Sequence, residues 1–544
     1  MTVTERVARA VDLATNDEAG AVGTGLTFLA AAVAAVLVIP LGWLFVDVLG
    51  LGGRAIDLAT SATTLAVLAR SVALVAVVTA GSVLVGVPLA VLTVQADIPF
   101  KRFWTVLAAL PLAVPSYLGA FAVVSATGRG GVLANALQPL GVETIPTVDG
   151  FTGAALVLTV YTYPYVFLTT RASLLSLDAS LVEAARTLNS GRWEAFRRVT
   201  LPQILPGVAA GALLVALYTL SDFGTPNIMR VQVFTQFIYA RYTGFMQDYA
   251  ALLSLQLLAV TAVILAVESR IGADDSGAYA SGGNRGALSI RLGWLRYPLL
   301  VLPLLVGATA ILLPIVVFGL WLTNGGPGYA GGSMAFSWTY GWNSLYVALL
   351  AAVASVLVAL PIALRSAASD SRLAALADRA PYAGYAAPGI VLAIALVSFS
   401  LNVVPAFYKT IPLLVFAYVV RFVPQAIGSM RTSTLQVDQT LVEAARTLGR
   451  SRFGAFRSVT LPLIAPGIVT GAALVFLTTM KELPATLILR PLGFDTLVTY
   501  IWRVQEAGLY GRAALPALVL VVVSGLSMAV ILAQEDADDS DTNE

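Results

Sequence analysis

The sequence predicts an all-α integral membrane protein with about twelve transmembrane helices. They fall in two parallel six-helix repeats related by a pseudo-two-fold axis along the membrane normal. Three observations predict this. Of 544 residues, 58% are hydrophobic and only 11% charged, with a mean hydropathy of +0.85; soluble domains carry about 25% charged residues. The apolar residues gather in stretches close to the roughly 20 residues a helix needs to cross the hydrocarbon core. Finally, LVEAARTL stands at 181–188 and again at 441–448, followed in both places by AFR (195–197, 455–457) and VTLP (199–202, 459–462), all at one offset of 260 residues.

In chain order, the expected spans are about 26–49, 65–94, 103–125, 152–177, 204–225 and 249–268, then 297–322, 342–365, 382–404, 410–430, 464–488 and 513–533. Residues 1–20 are polar with both signs of charge, and the first apolar run lacks a convincing cleavage site, so it is read as a retained span. The Gly-, Ser- and charge-rich stretch between the halves reads as a flexible linker. The expected division is therefore a first six-span repeat (1–269), a cytoplasmic linker (270–296), a second repeat (297–533) and an acidic tail (534–544) expected to be disordered. The halves align beyond the loops: Ser71 and Pro88 with Ser344 and Pro361, Pro111 with Pro388, Pro164 with Pro424, and PGVAAG (206–211) with PGIVTG (466–471).

Arginine placement sets the expected orientation. Arg186, Arg192, Arg197 and Arg198 in the first copy, and Arg446, Arg450, Arg452 and Arg457 in the second, share a side with Lys101, Arg102, Arg372 and Arg379. The opposite loops hold fewer cations, among them Arg54, Arg129, Lys409 and Arg490. Both repeated segments, both termini and the linker are thus placed on the cytoplasmic side of the plasma membrane.

Each repeated segment reads as a helix–turn–helix bracket. Ser180 with Glu183, and Thr440 with Glu443, fit a capping box. Leu181, Ala184, Ala185 and Leu188 share one face, Asn189 or Gly449 ends the helix in a left-handed turn, and Pro202 or Pro462 closes a second helical piece. An apolar stripe rimmed by arginines suits docking into a groove on a soluble protein. The alternative is an interfacial helix on lipid headgroups, although lipid contact would constrain only the hydrophobic pattern and not the polar identities that the two copies share.

Residue types exclude other functions. Cysteine and histidine are absent, which removes thiolate and imidazole chemistry, so no catalytic site, metal site or cofactor is expected. None of the three lysines follows a glycine, so there is no phosphate-binding loop of the G-x-x-x-x-G-K-[ST] kind. Any ATP would be bound by a separate subunit. The net charge of +2 says little about partners; the lipid bilayer is expected as one, and nucleic acid is not.

The stretch EAARTLGRSRFGAFRSVTLP (443–462) resembles the EAA loop of ATP-binding-cassette importer permeases, and residues 183–202 match it with Asn189 in place of the glycine. SDFGTP (221–226) and KELPATLILRPLGFDTL (481–497) resemble the fused twelve-span permeases of ferric-iron importers, whose relatives move thiamine or phosphonates. The resemblance covers nearly the whole chain. It implies a permease subunit without enzymatic activity, two copies of a cytoplasmic ATPase and an extracytoplasmic substrate-binding protein, with ferric iron as cargo and thiamine or a phosphonate as the alternative. It also implies that Glu183, Ala184, Ala185 and Asn189 couple the first half to its ATPase, and Glu443, Ala444, Ala445 and Gly449 the second. An ion-driven secondary transporter remains a competing class, but it has no need of paired docking brackets.

The fifth span of each half follows its bracket and carries a GxxxG, Gly207 with Gly211 and Gly467 with Gly471. Small residues at this spacing let helices approach closely. These spans are expected to cross at the axis and line the gate, with simple packing as the alternative. Asp222, Lys481 and Glu482 near their outer ends are candidate points on the translocation path; the alternative is interfacial placement, with Lys481 paired to a carboxylate. Tyr239, Arg241, Tyr242, Trp502 and Arg503 could meet the binding protein or anchor in the interface.

Overall fold

The computed structural model describes residues 32, 35–128, 131–141, 145–177, 191–272, 292–327, 329, 334–366, 381–382 and 384–526. These residues form helices joined by loops, with one isolated antiparallel bridge between Gly128 and Ile145. In chain order the main helices are α1 (Ala35–Leu49), α2 (Ala62–Gln95), α3 (Lys101–Ala113), α4 (Ser116–Ala126), α5 (Gly150–Leu175), α6 (Phe196–Ser221), α7 (Gly224–Ile228), α8 (Phe234–Thr243) and α9 (Gln247–Gly272). Then follow α10 (Gly293–Asn324), α11 (Trp338–Ser366), α12 (Gly389–Val403), α13 (Ile411–Leu435), α14 (Gln439–Thr447), α15 (Arg452–Lys481), α16 (Pro484–Leu489), α17 (Leu497–Glu506) and α18 (Tyr510–Leu526).

Among the described residues eight helices are long and apolar enough to cross a membrane, or nine if a bent pair counts as one span. The bent pair, α3 with α4, replaces the straight span expected at 103–125 and turns by 92°. The cause is local. Proline disfavours helical backbone in the residue before it, and Val114 is extended (φ −87°, ψ 129°) ahead of Pro115. The other three expected spans coincide with α1, α12 and α18, which are shorter apolar helices. Pro388 starts α12 as Pro115 starts α4, with φ −54° and ψ 142° against −59° and 132°. The structural counterpart of Pro388 is therefore Pro115, and the pairing with Pro111 expected from sequence is out of register; Pro111 sits inside the preceding 3-10 turn.

The brackets also differ from expectation. Pro202 and Pro462 do not close a helical piece. Each lies in the first turn of a continuous helical run that enters the fifth span. A proline inside an α-helix clashes with the carbonyl four residues back. Here that residue is Arg198 or Ser458, inside a π-helical turn at Phe196–Thr200 or Phe456–Thr460, where the wider ring relieves the clash.

The contacts group the chain into two units, each drawn from both sequence halves: 47–338 with 497–544, and 1–46 with 339–496. In the first, α5 is the central post. Gly86 of α2 lies against the backbone of Tyr163 and Phe167, Ser82 meets Thr162 at 3.1 Å, and the Tyr163 hydroxyl donates to the Ala108 carbonyl at 2.6 Å. On the other flank α6 presents Gly207 to Ser173 and Thr169, and Gly211 to Val166 and Thr169. In the second unit α15 repeats this arrangement against α13: Gly467 faces Ser429 and Ser433, and Gly471 faces Ala426. A lipid-embedded helix gains no hydrophobic drive from meeting another, so close backbone approach at small residues supplies the packing. Each GxxxG pair makes a close backbone approach. The partner in each case is the fourth span of the same half.

Candidate coupling and translocation elements

The second bracket is described in full. α14 begins at Asp438, whose carboxylate accepts the Thr440 N–H at 2.9 Å. Thr440 is therefore inside the helix, and the capping box expected from Thr440 and Glu443 is not formed. An aspartate two residues upstream supplies a competing and stronger cap, which leaves Glu443 on the exposed surface with no capping duty. The signal was present in the sequence, since Asp178 stands at the same offset before the first copy. α14 ends as expected. Gly449 has φ 87°, its N–H bonds to the Arg446 carbonyl at 3.0 Å, and the Arg450 N–H bonds to the Ala445 carbonyl at 3.1 Å. This is a Schellman pair. Ser451 then caps the next turn by accepting the Gly454 N–H at 3.1 Å.

The face expected to be apolar is uncovered within the chain. Leu441, Ala444 and Leu448 are exposed, the last at 85%, and Phe453 of the second limb is 72% exposed. Arg446, Arg450 and Arg457 surround them at the surface. In the first copy, Glu183, Ala184, Ala185 and Asn189 lie outside the described residues, as do most of the linker and the acidic tail. What is described of that copy, Arg192–Ala195 followed by the π turn, repeats the second limb of the other bracket.

The Asp438 cap carries a pH signature. The Thr440 N–H holds its carboxyl below the ordinary carboxylate value of 3.8. A pKa depressed by folding adds stability above the unfolded value, and that stability is lost as pH falls through the folded one. Amide hydrogen exchange in residues 439–447 is expected to quicken as the pH is taken below 3.8, beyond the intrinsic pH trend. Asp438→Asn, which caps without titrating, should remove that extra step.

Farther along, both fifth spans end on an acid that caps the next short helix. Asp222 Oδ1 accepts the Gly224 N–H at 3.0 Å, and its Oδ2 accepts the Ser116 hydroxyl at 2.9 Å. Ser116 in turn lies 3.0 Å from the Tyr218 hydroxyl. Glu482 Oε1 accepts the Ala485 N–H at 3.2 Å, and its Oε2 lies 3.3 Å from Arg421 Nε. Thr486 donates to the Glu482 carbonyl and Tyr418 meets Thr486 at 2.7 Å. Gly389 opens α12 at this spot: a Cβ there would stand 2.5 Å from both Arg421 Nη1 and Glu482 Oε1. Sequence reasoning named Asp222 and Glu482 but missed Ser116, Gly389 and the role of Arg421. Only the residue after each span-breaking proline, Ser116 or Gly389, could have pointed there. Among the described residues no three acidic side chains gather in a way that would hold a metal ion.

Of the aromatic and basic residues expected on the outer side, Trp502 is buried against Phe223 and Tyr239, with ring centroids at 4.9 and 6.4 Å. It is packing and not an exposed contact. Arg241 stacks over Phe237 and Tyr249, and Arg503 over Tyr500.

Comparison with known proteins agrees with this arrangement. The family model described as binding-protein-dependent transport system inner membrane component matches residues 82–271 and again 357–536. The Fe(3+)-transport system permease protein FbpB 2 of Haemophilus influenzae is 29% identical over 492 residues, covering 88% of this chain and 92% of its own length. The ferric transport system permease protein FbpB of Actinobacillus pleuropneumoniae is 25% identical over 442 residues, 78% of this chain and 64% of the relative. The molybdenum transport system permease protein ModB of Escherichia coli is 32% identical over 139 residues, 26% of this chain and 60% of the relative. With two copies of the family unit spanning more than half of its length, the chain belongs to the binding-protein-dependent transport system inner membrane components: a multi-pass inner-membrane permease that works with an ATPase and a binding protein and is not itself an enzyme.

Proposed function

We propose that the chain is the permease subunit of a ferric-iron importer, with two six-helix halves in one polypeptide. The observation that carries the cargo is the relative named for Fe(3+) transport, similar along 88% of this chain; the molybdenum permease is similar over only 26%. In this reading α1, the α3–α4 pair, α12 and α18 complete twelve membrane passages, the halves are related by a pseudo-two-fold axis, and both termini are cytoplasmic. One copy of the ATPase docks on each bracket. Glu443, Ala444, Ala445 and Gly449 form the contact in the second half, and Glu183, Ala184, Ala185 and Asn189 in the first. The uncovered apolar face of α14 supports this, because an amphipathic helix stable in the chain leaves its leucines bare only where something else covers them.

ATP-driven closure of the docked pair would move α6 and α15 directly, since each runs unbroken from its bracket into the membrane. Gly207, Gly211, Gly467 and Gly471 then act as the sliding contacts on α5 and α13, and the gate lies along these helices. Asp222 and Glu482 are engaged by their own chain, which supports a holding role at the span ends, beside Lys481, over that of a metal cage. Selectivity then rests mainly with the extracytoplasmic binding protein. Uptake of labelled ferric iron, thiamine and a phosphonate, each under starvation for that nutrient, tests the assignment in cells with and without the gene. Loss of iron uptake alone is expected. Intact iron uptake with loss of another cargo would leave the importer and overturn the iron.

A further inference from the structure

We propose that residues 96–104 and 292–300 together form a binding site for the headgroup of an anionic phospholipid. The two segments are almost 200 residues apart in the chain, and the structure fixes them together. Asp97 Oδ1 accepts the Leu292 N–H at 2.8 Å. Beneath that bond, Leu92, Ala96 and Ile98 pack with Trp104, Leu292 and Leu300. Leu107 of α3 lies against Gly307 of α10. The result is a built shelf and not two loose loops.

The shelf shows aromatic rings to its surroundings. Phe100 is 83% exposed and Trp294 80%, with Phe103 and Tyr297 exposed beside them in sequence. Phe100 is held at φ 55°, a left-handed backbone that disfavours any residue with a Cβ. A bulky ring in that conformation, facing outward, is costly in water. It is favourable at the membrane interface, where amphipathic aromatic rings sit at headgroup level. Both segments border membrane-spanning helices, so the interface is at hand.

Charge selects which lipid. The shelf carries Lys101, Arg102 and Arg296, against the single carboxylate of Asp97, which is occupied by the Leu292 amide. Lys101 Nζ spends one donor on the Val94 carbonyl at 3.2 Å and has three. Arg296 lies over Tyr297, its guanidinium 5.0 Å from the ring centroid and Nη2 3.2 Å from the hydroxyl. Zwitterionic lipid would satisfy the rings alone. An excess of cations on the two segments matches a headgroup with net negative charge.

The test uses the full chain in phosphatidylcholine vesicles containing a small fraction of lipid brominated near the headgroup, either phosphatidylglycerol or phosphatidylcholine. Quenching specific to Trp294 is the difference between the chain and Trp294→Phe. Quenching by brominated phosphatidylglycerol is expected to exceed that by brominated phosphatidylcholine at equal mole fraction. Replacing Lys101, Arg102 and Arg296 by glutamine, singly and then together, should lower that preference about fivefold per charge removed. Equal quenching by the two lipids would reduce the shelf to a generic interfacial belt and overturn the proposal. Absence of quenching by either would overturn it too, and would mean that the rings face water or a protein. Neither decisive comparison depends on a charge variant folding.

Discussion

Gly449→Val is expected to lower uptake about 5- to 30-fold while the protein still reaches the membrane, and Gly449→Asn to leave uptake near normal. The backbone at Gly449 has φ 87°, where an L residue costs roughly 1–2 kcal/mol, and a β-branched one pays the full penalty. Relief of that strain means giving up the bonds from Gly449 to Arg446 and from Arg450 to Ala445 that close α14. With them goes the angle between the two limbs of the bracket. A loss of 1–2 kcal/mol in a docking geometry changes its population by the factor stated. Asparagine tolerates this backbone and stands at the matching position 189 of the first half, so it separates the turn from the absence of a side chain. Glu443→Lys should act without strain. Its carboxylate is exposed and caps nothing, so charge reversal should leave thermal stability unchanged while ATP hydrolysis by the partner runs without uptake. The readouts are uptake rate, binding-protein-stimulated ATP hydrolysis and membrane level. Normal transport by both Gly449→Val and Glu443→Lys would remove the bracket from the coupling path.

The brackets were legible in the sequence because an identical octapeptide in two polar loops of an apolar chain can hardly be accidental. The Gly449 turn followed from a single residue type, since glycine after an amphipathic helix implies a left-handed closure. The cap was misassigned for an equally physical reason. Thr440 and Asp438 are both residue types that cap, and the choice depends on where the helix starts, a shift of two residues that the local sequence leaves open. The bend inside α3–α4 is not legible because hydropathy does not register one: Pro115 turns the chain by 92° without changing how apolar it is. The π turns ahead of Pro202 and Pro462 left no mark at all beyond the prolines themselves. Buried polar pairs were the hardest to read. Asp222 and Glu482 were visible as acids at matching positions, but their partners Ser116 and Arg421 lie 106 and 61 residues away in sequence, and only the packed helices bring them together.

The same comparison of halves yields the largest stability effect expected. Arg421→Met should destabilise the unit containing α12, α13 and α15 by about 3 kcal/mol or more, because it strands a buried carboxylate. The Arg421–Glu482 pair has side chains only 15% and 7% exposed, so solvent screening gives little relief. Without the arginine, Glu482 keeps the Ala485 N–H as a partner, too little to hold a full charge away from water. Glu482→Gln should cost less, since it removes charge but keeps an acceptor for Ala485. The double variant Arg421→Met, Glu482→Gln should recover part of the loss, with a coupling energy in the range of about 0.5–3 kcal/mol seen for residues in contact. Gly389→Ala supplies an independent arm. Its methyl would press on both partners, so it should be harmful in the native background and milder beside Arg421→Met, where the crowded guanidinium is gone. In the first half the matching contact is a neutral hydroxyl on the Asp222 carboxylate, and Ser116→Ala should cost about 1.5–3 kcal/mol, less than the loss of a full counter-charge. Thermal unfolding of the purified chain in lipid nanodiscs reads all six variants. If Arg421→Met unfolds at the native temperature, or its effect simply adds to that of Glu482→Gln, the pair does not hold the α12 entry to α13 and α15, and the two halves are secured by the same weak bonds.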